Sequence, residues 1–209
     1  MLKKLSYLLA AGMAAATLSG AFACYSHAWS RYFQGRLIRG ELTVTTSSTP
    51  NRLHAAYTEV LPTGLLDLKG TLNMGKRATQ GTVGDDSSGV STLSFCLFPA
   101  SPPASVLGGL MFGTTLIGPD AQPSVTRIVM VRLPPGSPRL TSMVGYLPPQ
   151  PSIAEDLQEL GLRVQDPVAV DRLLTAFLSG GAKGADQVSL SAYRALTDLF
   201  DRIWLADTC

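Results

Sequence analysis

Apolar and polar residues alternate with a period of two through much of the first two thirds of the chain. Ile38, Gly40, Leu42 and Val44 take one phase, and Arg39, Glu41, Thr43 and Thr45 the other. This is the mark of a strand with one wet face. Leu66, Leu68, Gly70, Leu72 and Met74 repeat it against Asp67, Lys69, Thr71 and Asn73, and Leu53–Leu61 carries a weaker version between them. Val90–Phe98 places Leu93, Phe95 and Leu97 on one side and Val90, Cys96 and Phe98 on the other, so both faces are partly apolar and a central strand is expected. Ser124–Leu133 and Arg139–Leu147 are further strand candidates, while the glycine-broken Leu107–Ile117 stays unassigned. Turn chemistry separates the segments: Ser47–Asn51, Pro62-Thr63-Gly64, Gly84–Gly89 and Pro134-Pro135-Gly136. Short connections favour antiparallel neighbours.

Past the stiff spacer Pro148-Pro149-Gln150-Pro151 the period becomes helical. Ser152 and Glu155 form a capping box ahead of Ile153, Leu157 and Leu160, with Gly161 as the stop. Asp166 and Pro167 open a second helix whose inward stripe is Val170, Leu173, Leu174, Phe177 and Leu178. A third runs from about Ser189 to Ala206, burying Leu190, Tyr193, Leu196, Phe200, Ile203 and Trp204 and leaving Arg194, Asp198 and Arg202 wet. Strands first and helices afterwards predict an α+β fold: a mostly antiparallel N-terminal sheet over residues 36–147, with about three helices of residues 152–209 packed on one of its faces as part of the same domain.

The front of the chain reads as a bacterial secretory signal over residues 1–23: Lys3 and Lys4, an apolar run from Leu5 to Thr17, then small residues at Ser19, Gly20, Ala21 and Ala23. Residues 24–35 are then a tether or arm. Losing the leader removes two lysines and no acids, so 17 basic against 15 acidic residues become 15 against 15. A neutral chain without a basic run gives no reason to expect nucleic acid. The composition, with 45% apolar and 15% charged residues, is that of a folded chain rather than a disordered one.

Ala21-Phe22-Ala23 suits an ordinary signal peptidase, yet Cys24 follows directly, where a lipoprotein signal would place the thiol that becomes a membrane tether. Ala21 and Phe22 match the lipoprotein pattern poorly, but lipidating Cys24 would leave Cys96 and Cys209 as an even pair. Both routes stay open, which puts the protein in the periplasm, on the outer membrane through a lipid, or outside the cell. A Cys96–Cys209 disulfide would close a long loop worth about 4–5 kcal/mol in the chain-entropy view, with two buried reduced thiols as the alternative.

Catalytic signatures are sparse. His27 and His54 are the only histidines and have no metal-ligand spacing. No metal or cofactor site is expected, and no catalytic residue is assigned. Gly70 to Gly75-Lys76 imitates a phosphate loop, but Arg77 replaces the needed hydroxyl and the segment overlaps an alternating strand, so Gly75-Lys76-Arg77 reads as a turn. Asp85-Asp86 reads as a solvated hairpin tip. Trp29, Tyr32 and Phe33 cluster near the mature start, either packed on the sheet or offered as a partner contact. The leading expectation is a non-enzymatic exported cell-envelope protein that binds an unidentified envelope protein as an accessory, inhibitor or immunity factor. The alternatives are a secreted hydrolase using dispersed Ser, His54 and acidic residues, and a lipid or small-ligand carrier with an apolar cavity between sheet and helices.

Overall fold

The computed structural model of the chain describes residues 17–33, 35–85, 90–114, 123–180 and 190–208. Eight antiparallel strands follow one another as β1 (Gly20–His27), β2 (Leu37–Thr46), β3 (Arg52–Leu61), β4 (Gly64–Met74), β5 (Thr79–Asp85), β6 (Val90–Leu97), β7 (Val106–Thr114) and β8 (Pro123–Arg132). Each pairs with the next, and β1 pairs with β8, so the sheet closes into a barrel. Three helices come after it: α1 (Ile153–Glu159), α2 (Pro167–Ser179) and α3 (Leu190–Thr208).

The expected open sheet with helices on one face is therefore corrected to a closed barrel. The decisive difference is at the seam, where Phe22, Ala23, Cys24, Tyr25 and Ser26 face Arg132, Val131, Met130, Val129 and Ile128. Three strands escaped the hydrophobic pattern: β7, where Gly108, Gly109 and Gly113 left Leu107–Ile117 unassigned, and also β1 and β5. β1 lies across the leader and arm, where a run of small and apolar residues hides its alternation. β5 turns only Thr79, Gly81 and Val83 inward, too little apolar bulk to register. Arg139–Leu147 is also corrected: it holds a short 3₁₀ turn at Leu140–Ser142 and a single bridge between Tyr146 and Ile38 rather than a strand.

Elsewhere the alternation translates directly into the barrel wall. The phase Ile38, Gly40, Leu42, Val44 points inward, as does Leu66, Leu68, Gly70, Leu72, Met74. Phe22, Leu42, Leu53, Tyr57, Leu68, Leu72, Phe95, Leu97, Ile128 and Met130 fill the interior at 0–2% exposure. Small eight-stranded barrels have little more room than this, because their radius is set by strand number and tilt.

The wall of β1, β2, β7 and β8 is apolar on its outer side too. Ala23, Tyr25, Leu37, Val106, Val129 and Val131 pack there against Leu157, Leu174, Phe177, Tyr193, Leu196 and Phe200 of the helices. Ser152 caps α1 by accepting from the Glu155 amide at 3.0 Å, and Asp166 caps α2 by accepting from Ala169 at 2.9 Å. Gly161 at φ +90° takes the left-handed conformation that ends α1 without a Cβ penalty. The sheet–helix layer is thus a second core. Beneath it Arg39 of β2 pairs with Asp156 of α1, which also accepts from the Tyr25 hydroxyl at 2.6 Å.

The barrel's two ends differ. At the end where β1 begins, Arg132 donates to the backbone carbonyls of Ser19 (2.7 Å), Thr17 and Ala104 (3.0 Å) and stacks over Phe22, its Cζ 4.7 Å from the ring centre. Leu18, 2% exposed, belongs to the interior cluster. This end is plugged. At the other end β2 and β3 part, since their pairing starts only at Gly40 opposite Glu59. The segment around Tyr146 fills the gap: the Arg39 amide donates to the Gly145 carbonyl (2.7 Å), the Gly145 amide to Val60 (3.1 Å) and the Leu147 amide to Leu37 (3.0 Å). A Cβ on Gly145 would stand 2.5 Å from the Val60 carbonyl oxygen, so only glycine fits there.

Candidate functional site at the barrel mouth

The inward phase of β3 reads Leu53, Ala55, Tyr57, Glu59, Leu61, and one position in it breaks the apolar rule. Glu59 is 7% exposed and lines a cavity of about 40 Å³ at the open end, together with Ser26, His27, Trp29, Ile38, Leu61, Leu93, Met111 and Tyr146. That volume suits a few waters or the end of a small ligand.

Strand register explains why a carboxylate fits here. Cys24, Gly40, Glu59 and Leu66 stand side by side across β1 to β4. Gly40 leaves the needed space: a Cβ there would lie 2.7 Å from the Tyr57 hydroxyl oxygen and 3.0 Å from Glu59 Cγ. The Tyr57 hydroxyl donates to Glu59 Oε1, the one hydrogen bond that Glu59 receives among the described residues. No cation pairs with it there; the nearby Arg39 pairs with Asp156 instead. Nearby, the Trp29 Nε1–H is shut off from solvent and donates to nothing. A buried carboxylate with spare acceptor capacity thus lines a small cavity beside Trp29, whose own Nε1–H is closed to solvent.

Burial lifts the Glu59 carboxyl from its ordinary value of 4.5 to about 7, the Tyr57 hydrogen bond offsetting only part of the effect. The folded state therefore holds a proton that the unfolded chain gives up above about 4.5. Stability falls as pH rises through the interval from 4.5 to 7 and levels off above it, a loss on the order of 3 kcal/mol. Thermal melts between pH 5 and pH 8 should show this, and Glu59→Gln should remove the greater part of it. An unchanged pH dependence in that variant would contradict the buried, shifted carboxyl.

The other residues singled out in the sequence scatter. Cys24 is inside the barrel at 1% exposure, its thiol pushed up first by burial and then by Glu59 and Glu41. In this geometry a lipid on Cys24 would require drawing its Sγ out of the interior. Cys96 lies exposed on the outer side of β6, and Cys209, its suggested disulfide partner, falls outside the described residues, as does Asp86. The aromatic trio divides: Trp29 lines the cavity, Phe33 stacks on Tyr146 at 3.9 Å between ring centres, and Tyr32 is 76% exposed. His54 points outward from β3 and is exposed, away from the cavity. His27 reaches the cavity, and burial pulls its pKa below the ordinary 6.5. Among the described residues no group of three or more His, Cys, Asp or Glu is placed to hold a metal ion.

Glu59, Tyr57, Ser26, Met111 and Tyr146 were not singled out from the sequence. The available signal was the acid at an inward position of an alternating strand. A larger groove of about 440 Å³ at the plugged end is a weaker candidate. Its charges are already committed, Glu41 to the Leu140 amide at 3.2 Å and Arg132 to the carbonyls named above.

No protein-family model matches the chain, and no curated protein is significantly similar to it in sequence. The class rests on geometry: an eight-stranded antiparallel barrel, plugged at one end, with a mainly apolar cavity holding one buried acid at the other and helices against one wall. Among the described residues no helix is long and apolar enough to cross a membrane, which does not bear on membrane crossing by strands.

Proposed function

We propose that this chain is an exported cell-envelope protein that binds a small molecule in the mouth of its barrel. The observation that carries the reading is Glu59, a buried carboxylate with spare acceptor capacity that lines a small cavity beside Trp29 in a largely apolar interior. Buried polar groups without partners are costly, on the order of 1–3 kcal/mol each, and a ligand that meets them recovers that cost. Export is supported by the Lys3-Lys4 leader and its apolar run. The sheet–helix layer is packed with side chains, so the carrier reading moves from there to the mouth.

Trp29 provides its own reporter. The chain has two tryptophans, and Trp204→Phe leaves Trp29 alone. Titrating that variant with 1-hexanol and n-hexylamine should give a saturable change in emission, which Ser26→Leu, by filling the cavity, should abolish. Absence of a saturable response to either probe, or an equal response in Ser26→Leu, would refute the reading.

A protein partner is the second reading, favoured by the 76% exposure of Tyr32 and the 71% exposure of Val144. In that case Tyr32→Ala weakens partner capture while the Trp29 response persists.

A further inference from the structure

The lining of the mouth restricts what can enter it. Its one ionisable acid is Glu59, no Lys or Arg lines it, and two aromatic rings, Trp29 and Tyr146, complete the wall with Ile38, Leu61, Leu93 and Met111. Anions are disfavoured by the carboxylate, and a wholly apolar group would leave its acceptor unmet. An ammonium group satisfies both features, donating N–H bonds to the carboxylate in a lining that includes two aromatic side chains, a class that attracts cations. From this geometry we infer that the mouth selects the protonated amine end of a small, mainly apolar ligand, Glu59 being its counter-ion. The inference rests on the small-ligand reading above and names its ligand class.

Cavity size sets the pose. About 40 Å³ receives the amine and a few carbons, so the rest of the ligand must project through the opening.

The groups facing Glu59 decide how binding responds to pH. Tyr57 on its own strand and Cys24 on β1 have their pKa values raised well above the ordinary range, and Tyr146 is pushed up to about 12. His27 at the rim is pulled down by burial, and Arg36 commits its guanidinium to the Leu147 carbonyl, 2.7 Å from Nε, and to the Tyr146 carbonyl. Tyr57, Cys24, Tyr146 and His27 are thus neutral above pH 7, and Glu59 is the one that changes charge. Only its ionised form attracts an alkylammonium, so affinity rises with pH, by roughly tenfold from pH 6 to pH 8 for a group titrating near 7.

Isothermal titration of the full chain with n-hexylammonium, 1-hexanol and hexanoate tests this. Hexylammonium should bind at least tenfold tighter than the other two at pH 8 and weaken about tenfold at pH 6. Glu59→Gln, its fold verified by thermal melting, should lose that preference and the pH dependence. Hexanol binding as tightly as hexylammonium would overturn the amine assignment while leaving the mouth a small-ligand site. Equal or tighter hexanoate binding, or an undiminished amine preference in Glu59→Gln, would overturn it as well. If no probe binds, the small-ligand reading fails along with it.

Discussion

A chain beginning at Cys24 is expected not to form the barrel, whereas one beginning at Thr17 should fold. The shorter chain lacks Leu18 and Phe22, 2% and 0% exposed within the interior. Truncating a buried Phe or Leu costs about 2–5 kcal/mol apiece, against a total stability of roughly 5–15 kcal/mol for a typical domain. It also loses the pairing of Gly20–Ala23 with Val44–Glu41 of β2 and, in the closing seam with β8, the pairs Phe22–Arg132 and Ala23–Val131. Arg132, over Phe22 and bonded to the Thr17 and Ser19 carbonyls, would be left buried without those partners. Far-UV circular dichroism and thermal melting of the two chains decide the matter. Melting temperatures within a few degrees of each other would show that β1 does not depend on its first half. Processing is drawn in as well, because a cut after Ala23 would leave only Cys24–His27 to close the barrel, and the mass of the mature N-terminus shows where the cut falls.

Arg39→Leu alone should destabilise the protein by about 3–5 kcal/mol, the typical cost of stranding the remaining charge of a buried pair. Asp156 would then lie beneath the helices with only the Tyr25 hydroxyl as donor, and the Val144 carbonyl would lose the Arg39 contact at 3.1 Å. The pair itself is not strongly stabilising. Burial raises the Asp156 carboxyl above its ordinary value even though the Tyr25 hydrogen bond and the Arg39 charge both pull it down. Replacing all three groups, Tyr25→Phe with Arg39→Leu and Asp156→Leu, should therefore recover stability to within about 1–2 kcal/mol of the starting protein. Urea denaturation of the single and triple variants supplies the comparison. A triple variant as unstable as the single one would mean that the ion pair is a true source of stability.

Both expectations depend on features that the hydrophobic pattern shows unevenly. The alternations of β2 and β4 divide their residues between the inner and outer sides correctly, because a pleated strand has the same period in a barrel as in an open sheet, although the β2 face expected to be wet is buried at Arg39 under α1. Ser152 and Asp166 cap helices where their spacing to Glu155 and Pro167 placed them. β1 was masked by its location: a run of small and apolar residues after two lysines has the composition of a leader, and the pairing that makes it a strand involves residues 10 to 24 positions away in β2 and more than 100 away in β8. The Arg39–Asp156–Tyr25 cluster joins neighbouring strands β1 and β2 to a helix more than a hundred residues further on, and nothing local in any of them announces the others.

The candidate site was partly legible. Trp29 was marked for its aromatic neighbours and does line the cavity. Glu59 stood in view as an acid in the apolar phase of β3, although the alternation of that strand is weaker than those of β2 and β4. Its neighbours could not have been listed, since Cys24, Gly40 and Glu59 become adjacent only through the registers of β1 with β2 and β2 with β3.

By itself the sequence determined the local quantities: which residues share a strand face, where helices start, and where turns interrupt the chain. These follow from backbone geometry and neighbours a few residues apart. Closure of the sheet, the plug at one end and the carboxylate at the other were decided by tertiary structure, because each depends on which distant strands pair and in what register. A period of two carries no information about a strand's partner.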